Sequence, residues 1–182
     1  MEDISLHLLD LVQNSITAKA TLIHISIREI PDKGQIWVEV QDNGTGMNSC
    51  QLQQVSDPFY TTRTTRRVGL GIPMFQASAE ATGGSLHIES EPGKGTALRA
   101  LFISSHIDCL PLGRLEDTLA ALIFLNPDVD IVYVHEYCGR QFLMDTRQIR
   151  EILGEVDIAD PTVIQWIKEY IRNGLNEING GA

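Results

Sequence analysis

Apolar residues recur along this 182-residue chain with two alternating periods, and the changes of period outline its elements. Over residues 3–18, Ile4, Leu8, Leu11 and Ser15 fall on one stripe at helical spacing, widened by Leu9, Val12 and Ile16. The period then drops to two. Ile23, Ile25 and Ile27 alternate with His24, Ser26 and Arg28, and Ile36, Val38 and Val40 alternate with Trp37, Glu39 and Gln41. The turn cluster Pro31-Asp-Lys-Gly34 between them predicts a hairpin. A glycine-rich loop at 42–47 and a short helix near 49–56 follow. Residues 57–71 have no apolar period and are rich in Thr and Arg, the pattern of a mobile segment. A helix is expected over residues 72–82, with Pro73 in its first turn and Gly83-Gly84 at its end. Residues 85–91 and 96–103 read as a second hairpin, turned by Pro92-Gly-Lys-Gly95.

Beyond about residue 105 the pattern predicts a helix at 112–125, strands at 131–136 and 141–144, and a helix at 146–153. Asp160-Pro161 caps a last helix with apolar residues Val163, Ile164, Ile167, Ile171 and Leu175. Hairpins rather than β-α-β repeats predict an α/β fold, a mixed sheet covered by helices. The expected organisation is one domain over 1–104 and a helix-hairpin-helix extension over 105–182, which either lengthens the sheet or forms a small docking unit.

Charge narrows the function classes. The net charge is −10, with 11 acidic and 8 basic side chains in residues 1–103 against 13 and 6 in 104–182. A nucleic-acid binder needs a basic face to displace counterions from phosphates, so that class is disfavoured. A basic partner surface would meet the more acidic second half. No run of apolar residues is long enough to span a membrane. Met1-Glu2-Asp3 has neither the basic stretch nor the apolar core of a secretory signal, which points to the cytoplasm. Three scattered cysteines make no disulfide framework. His106-Ile-Asp-Cys109 and His135-Glu-Tyr-Cys138 together could make a Cys₂His₂ zinc set, although such sites more often open with C-x-x-C and the recurrence can be coincidence.

Four segments carry candidate chemistry. On the first helix, Asp10 and Asn14 are spaced i, i+4 and share a face. An amide oxygen suits magnesium, and a carboxylate one turn away could deprotonate a water; two solvated polar residues would have the same spacing. Directly after a strand comes Asp42-Asn-Gly44-Thr-Gly46-Met47. A carboxylate there can accept from an exocyclic amine such as that of adenine, and the glycines let backbone approach a ring, or serve only a tight turn. Gly69-Leu70-Gly71-Ile72-Pro73 opens a helix whose free N–H groups could bind phosphate. Ahead of it, Thr61, Thr62, Arg63, Thr64, Thr65, Arg66 and Arg67 offer hydroxyls and cations, or form a solvated basic loop. Gly93-Lys-Gly95-Thr96 places Thr96 at the base side of such a pocket, or is a plain turn. No G-x-x-x-x-G-K-[ST] is present, both G-x-G pairs lack the third glycine (Met74 and Ser49 stand there), and H-E-x-x-H and G-x-S-x-G are missing.

In this order and spacing the segments resemble the N, G1, G2 and G3 boxes of the GHKL superfamily of gyrase, HSP90, MutL and sensor histidine kinases. Leu11-Val-Gln-Asn-Ser-Ile16 looks like the N box of MutL- and gyrase-like members; Asp57-Pro-Phe-Tyr-Thr-Thr-Arg63 and Ser90-Glu-Pro-Gly-Lys-Gly-Thr96 are closer to a sensor histidine kinase. The resemblance covers roughly residues 3–103 and implies a Bergerat fold, a mostly antiparallel sheet with helices on one face. It implies ATP and Mg²⁺ as ligands, with Asn14 on magnesium, Asp42 on adenine and Gly69 to Ile72 on the phosphates. Ala18, Lys19, Gly44, Gly46, Met47, Thr61, Thr62, Arg63 and Thr96 complete the implied nucleotide contacts, and Asp10 is the implied catalytic base.

Two departures shape the expected output. Hydrolytic members carry glutamate where this chain has Asp10, one methylene longer, and catalysis depends on placement. The N box also begins almost at Met1, leaving no place for a phosphoacceptor-histidine region, and His7 sits on the nucleotide-facing helix itself. The expectation is a regulatory ATPase or protein phosphotransferase acting with a protein partner or phosphoacceptor, with a homodimer among the assemblies. The alternatives are a non-hydrolysing ATP-dependent switch and an anti-sigma-like kinase of a serine or threonine.

Overall fold

The computed structural model describes residues 3–55 and 71–180. Asp3 opens α1 (Ile4–Thr17) as its N-cap, accepting the Leu6 N–H, and the chain leaves α1 through Lys19 at a positive φ of 61°. The alternating strands are β1 (Leu22–Ile30) and β2 (Gln35–Asp42), joined by a tight turn at Pro31–Lys33. A capping box between Asn48 and Gln51 starts α2 (Ser49–Gln54). After α3 (Gly71–Ala81) the second hairpin follows as β3 (Ser85–Glu91) and β4 (Gly95–Ile103). The rest forms α4 (Leu115–Leu125), β5 (Asp130–Tyr137), β6 (Arg140–Asp145), α5 (Thr146–Leu153) and α6 (Pro161–Ile178).

The six strands form one sheet in the order β3-β4-β2-β1-β5-β6. Every pairing is antiparallel except β1 with β5, which run parallel from Leu22↔Asp130 to Glu29↔Tyr137. The sheet is therefore mixed and mostly antiparallel. Alternation buries Ile23, Ile25, Ile27, Val38, Val40, Leu98, Ala100 and Phe102 against a layer in which α3 packs on α1, α1 on α4, and α4 on α6. Residues from both halves share one hydrophobic core, from Ile4 and Phe75 to Tyr133 and Ile171.

One boundary differs from the sequence pattern for a visible reason. The helix expected from Leu112 starts at Leu115, because the carbonyls of Pro111 and Leu112 accept the N–H groups of Ile4 and Ser5 at 2.9 Å each. Those first-turn donors have no acceptor within α1, and Pro111 and Leu112, outside α4, supply the carbonyls that satisfy them. The second half lengthens the sheet through β5, the arrangement that periodicity left open.

Candidate functional site

The C-terminal half of α1, the end of β2, the β3–β4 turn and the first turn of α3 meet at one end of the sheet. Ser15 lies in the buried stripe of α1, and its hydroxyl donates to Asp42 Oδ2 at 2.7 Å. The Gly44 N–H donates to Asp42 Oδ1 at 2.8 Å. Asp42 is thus almost buried, yet each carboxylate oxygen has a donor, which is the condition for keeping such a group inside a protein. Each oxygen keeps a lone pair for one more donor.

The loop after Asp42 is pressed onto α1 and onto the β3–β4 turn. The Thr45 N–H donates to Ala18 O at 2.8 Å, and a Cβ on Gly44 would stand 2.7 Å from that same oxygen. Gly46 has φ 65°, and a Cβ there would overlap the Glu91 carbonyl. A Cβ on Gly95 would likewise overlap Asp42 O. Gly93 N–H closes the seam on Thr45 O at 2.8 Å. Half-buried Met47 donates its N–H to Ser90 Oγ at 2.8 Å. Ser90 in turn donates to Gly95 O and lies 2.9 Å from Thr96 Oγ1, so the Thr96 hydroxyl is the donor in that last contact. Thr96 pairs with Asp42 across β4 and β2 and shares its face of the sheet.

Asp10 and Asn14 are half-buried one turn apart on α1, and Gly71 faces them. A Cβ on Gly71 would sit 3.4 Å from Asp10 Cβ and 3.6 Å from Asn14 Nδ2, so the start of α3 lies over this pair. Ile72 packs its side chain on the core beside it. Asp10 and Ser15 are five residues apart, about 7.5 Å along the helix axis. The Asp42 end and the α3 end of the site are therefore separated by roughly that run of α1.

The structure thus brings together Asp10, Asn14, Ala18, Asp42, Gly44, Gly46, Met47, Gly71, Ile72 and Thr96. Lys19 is exposed at the end of α1. Thr61, Thr62, Arg63, Gly69 and Leu70 lie outside the described residues. Ser15 and Ser90 were not picked out as site residues by the sequence patterns. A hydroxyl inside the apolar stripe of α1 was the available signal for Ser15; for Ser90 it was its place at the head of the Ser90–Thr96 segment. His106, Cys109, His135 and Cys138 do not converge, and among the described residues no three His, Cys, Asp or Glu side chains are placed to hold a metal. His135 is instead buried between the Tyr133 hydroxyl at 2.7 Å and Glu29 at 2.8 Å, while Cys138 sits exposed in the β5–β6 turn.

Residues 2–105, which contain every segment of this site, match the family described as histidine kinase-, DNA gyrase B- and HSP90-like ATPases. The chain belongs to that family. It is similar to the sensor kinase CckA of Brucella abortus, 34% identical over 84% of this chain but only 18% of that protein. The sensor protein kinase FleS of Pseudomonas aeruginosa is 34% identical over 60% of this chain and 26% of its own length. The chain therefore spans a small part of these relatives. The MutL ATPase domain of Aquifex aeolicus complexed with ADP shares the fold at a TM-score of 0.52, with 16% identity over 84% of this chain and 69% of that one. The N-terminal domain of a DNA repair protein does so at 0.58, with 15% identity over 87% and 59%. This is a histidine kinase-like ATP-binding module on a GHKL mixed sheet. No helix among the described residues is long and apolar enough to cross a membrane.

Proposed function

We propose that this GHKL module binds Mg-ATP and acts as a regulatory ATPase or protein phosphotransferase on a protein partner. The observation that carries the reading is Asp42, a buried carboxylate held by Ser15 and Gly44 at one end of α1, with the first turn of α3 set over Asp10 and Asn14 at the other. In this reading Asp42 accepts from the adenine amine beside Thr96, and Gly44, Gly46 and Met47 let the ring approach backbone. Ala18 and Lys19 border the same end of α1. Gly71 and Ile72 meet the phosphates, with Gly69, Leu70, Thr61, Thr62 and Arg63 contributing from the segment ahead of α3.

The donor set fits magnesium in its usual phosphate-bound role. One amide oxygen and one nearby carboxylate are too few for a protein-only cage but suit an ion that keeps waters and phosphate oxygens as its other ligands. Bound there, it would neutralise phosphate charge. Asn14 would hold it, and Asp10 would orient or deprotonate the attacking group.

A second reading, a non-hydrolysing switch, is favoured by one observation. Asp10 stands where the resemblance leads one to expect a glutamate in hydrolytic members, and the shorter reach costs base placement. Thermal unfolding with ADP and ATP, with and without magnesium, tests the pocket. Bound nucleotide at a hundredfold excess over Kd stabilises the native state by about 2.7 kcal/mol. An unchanged Tm at millimolar nucleotide would overturn the binding reading. Phosphate release or partner labelling above an Asp10→Ala control supports catalysis; tight binding with neither supports the switch.

A further inference from the structure

Helix α6 has two unlike sides. Ile167, Ile171, Gly174 and Ile178 are buried, and Gly174 lies so close to the Phe142 ring that a Cβ would overlap it. Its cations Lys168 and Arg172 lean toward α4 and pair with Asp117 and Glu116. On the other flank of the buried stripe, toward β6, stand Trp166, 47% exposed, and Tyr170, 39% exposed. Their rings are stacked, 5.5 Å apart and 8° from parallel. The Tyr170 hydroxyl donates to the Leu143 carbonyl at 3.3 Å, which ties the pair to the backbone of β6, the edge strand.

A preformed, half-exposed aromatic pair is typical of the anchors of protein interfaces. Its counter-charge is acidic. Glu169 lies one turn from Trp166 on the same stripe, and Asp157 and Asp160 stand at the start of the helix. Among the described residues these three carboxylates bond neutral groups of their own segment: Gln165, the Ala159 N–H and the Thr162 N–H. No Lys or Arg is paired with them there. Two copies of this chain meeting through this face would bring like charges together, which disfavours a symmetric dimer across it. A guanidinium or ammonium group can instead lie on the Trp166 ring and be neutralised by the carboxylates.

We propose that the Trp166–Tyr170 face, with Asp157, Asp160 and Glu169, docks a basic segment of a protein partner that also carries apolar residues. This inference does not rest on the nucleotide site. It can be tested on the full chain by fluorescence anisotropy with a labelled synthetic peptide of alternating arginine and leucine. Matched peptides carry glutamate in place of arginine, or serine in place of leucine. The expected result is saturable binding of the first peptide, at least about tenfold tighter than either control. W166A/Y170A should weaken it by about tenfold or more, and D160N/E169Q should weaken it and flatten its salt dependence. Asparagine caps a helix as well as aspartate, so D160N keeps α6 intact, and circular dichroism checks both variants. Unchanged affinity in folded W166A/Y170A, equal binding of the glutamate peptide, or no saturable binding overturns the proposal. So does self-association in sedimentation that W166A/Y170A abolishes, since a second copy would then cover the face.

Discussion

Both oxygens of Asp42 are occupied before any ligand arrives, by Ser15 and by the backbone of Gly44. Asp42→Asn keeps the shape but turns an NH₂ toward one of those donors. Stability should fall by about 1–3 kcal/mol, the cost of leaving a buried polar group unpaired. A urea midpoint lowered at constant m measures this, while calorimetry should find ATP affinity reduced tenfold or more. An unchanged affinity would remove Asp42 from the proposed adenine contact. Ser15→Ala should cost about 1.5–3 kcal/mol, because it takes a donor from a buried carboxylate oxygen. His7 supplies a separate test at this scale. It is 1% exposed, with Nε2 3.3 Å from Ser78 Oγ and Nδ1 unpartnered among the described residues. Burial pushes its pKa below the ordinary 6.5, so the unfolded chain takes up that proton first as pH falls. The contribution of His7 to stability is complete above that value and is lost progressively below it. As pH falls below 6.5, wild-type stability should drop more steeply than that of His7→Gln; parallel curves would show that His7 is not responsible.

Among the elements, the seam between the 42–47 loop and the β3–β4 turn decides whether the site stays assembled. Gly46 and Gly93 both have positive φ, 65° and 77°, but only at Gly46 would a Cβ meet another chain segment, the Glu91 carbonyl. Gly93→Ala should therefore cost about 1 kcal/mol, the backbone penalty alone. Gly46→Ala should cost at least about 1 kcal/mol more, because the two segments must move apart. Nucleotide affinity should fall with Gly46→Ala and hold with Gly93→Ala. Equal losses would mean that the close approach contributes nothing. The turn glycines were legible as turn formers in the sequence. Their second role, admitting one backbone against another, was not, because that contact joins residues about fifty positions apart.

At the scale of the whole molecule, β5 enters the sheet on the open side of β1, parallel to it, and α4 packs against α1. The first 104 residues hold the whole family match except its last position, yet they share one core with the remainder. A chain ended after residue 104 would bare the backbone edge of β1 and leave the Ile4 and Ser5 N–H groups without Pro111 and Leu112. We expect such a fragment to melt at a lower temperature than the full chain and to associate in size-exclusion chromatography. A monomeric fragment with an unchanged Tm would show that residues 105–182 are an accessory to the fold.

The sequence by itself determined the local elements and pointed to most of the candidate site, because helix and strand periods, caps and turn residues act over a few positions. Asp10 and Asn14 at one-turn spacing, Asp42 closing a strand and Gly71 opening α3 were all readable in that way. Only the tertiary structure decided that Ser15 holds Asp42, that Ser90 links Met47 to Thr96, and that His135 bridges Tyr133 and Glu29 rather than joining a zinc set. It also decided that the second half joins the sheet along β1. Each of these depends on pairing between distant segments, whose register is fixed by burial of a whole face of the sheet and leaves no mark at short range.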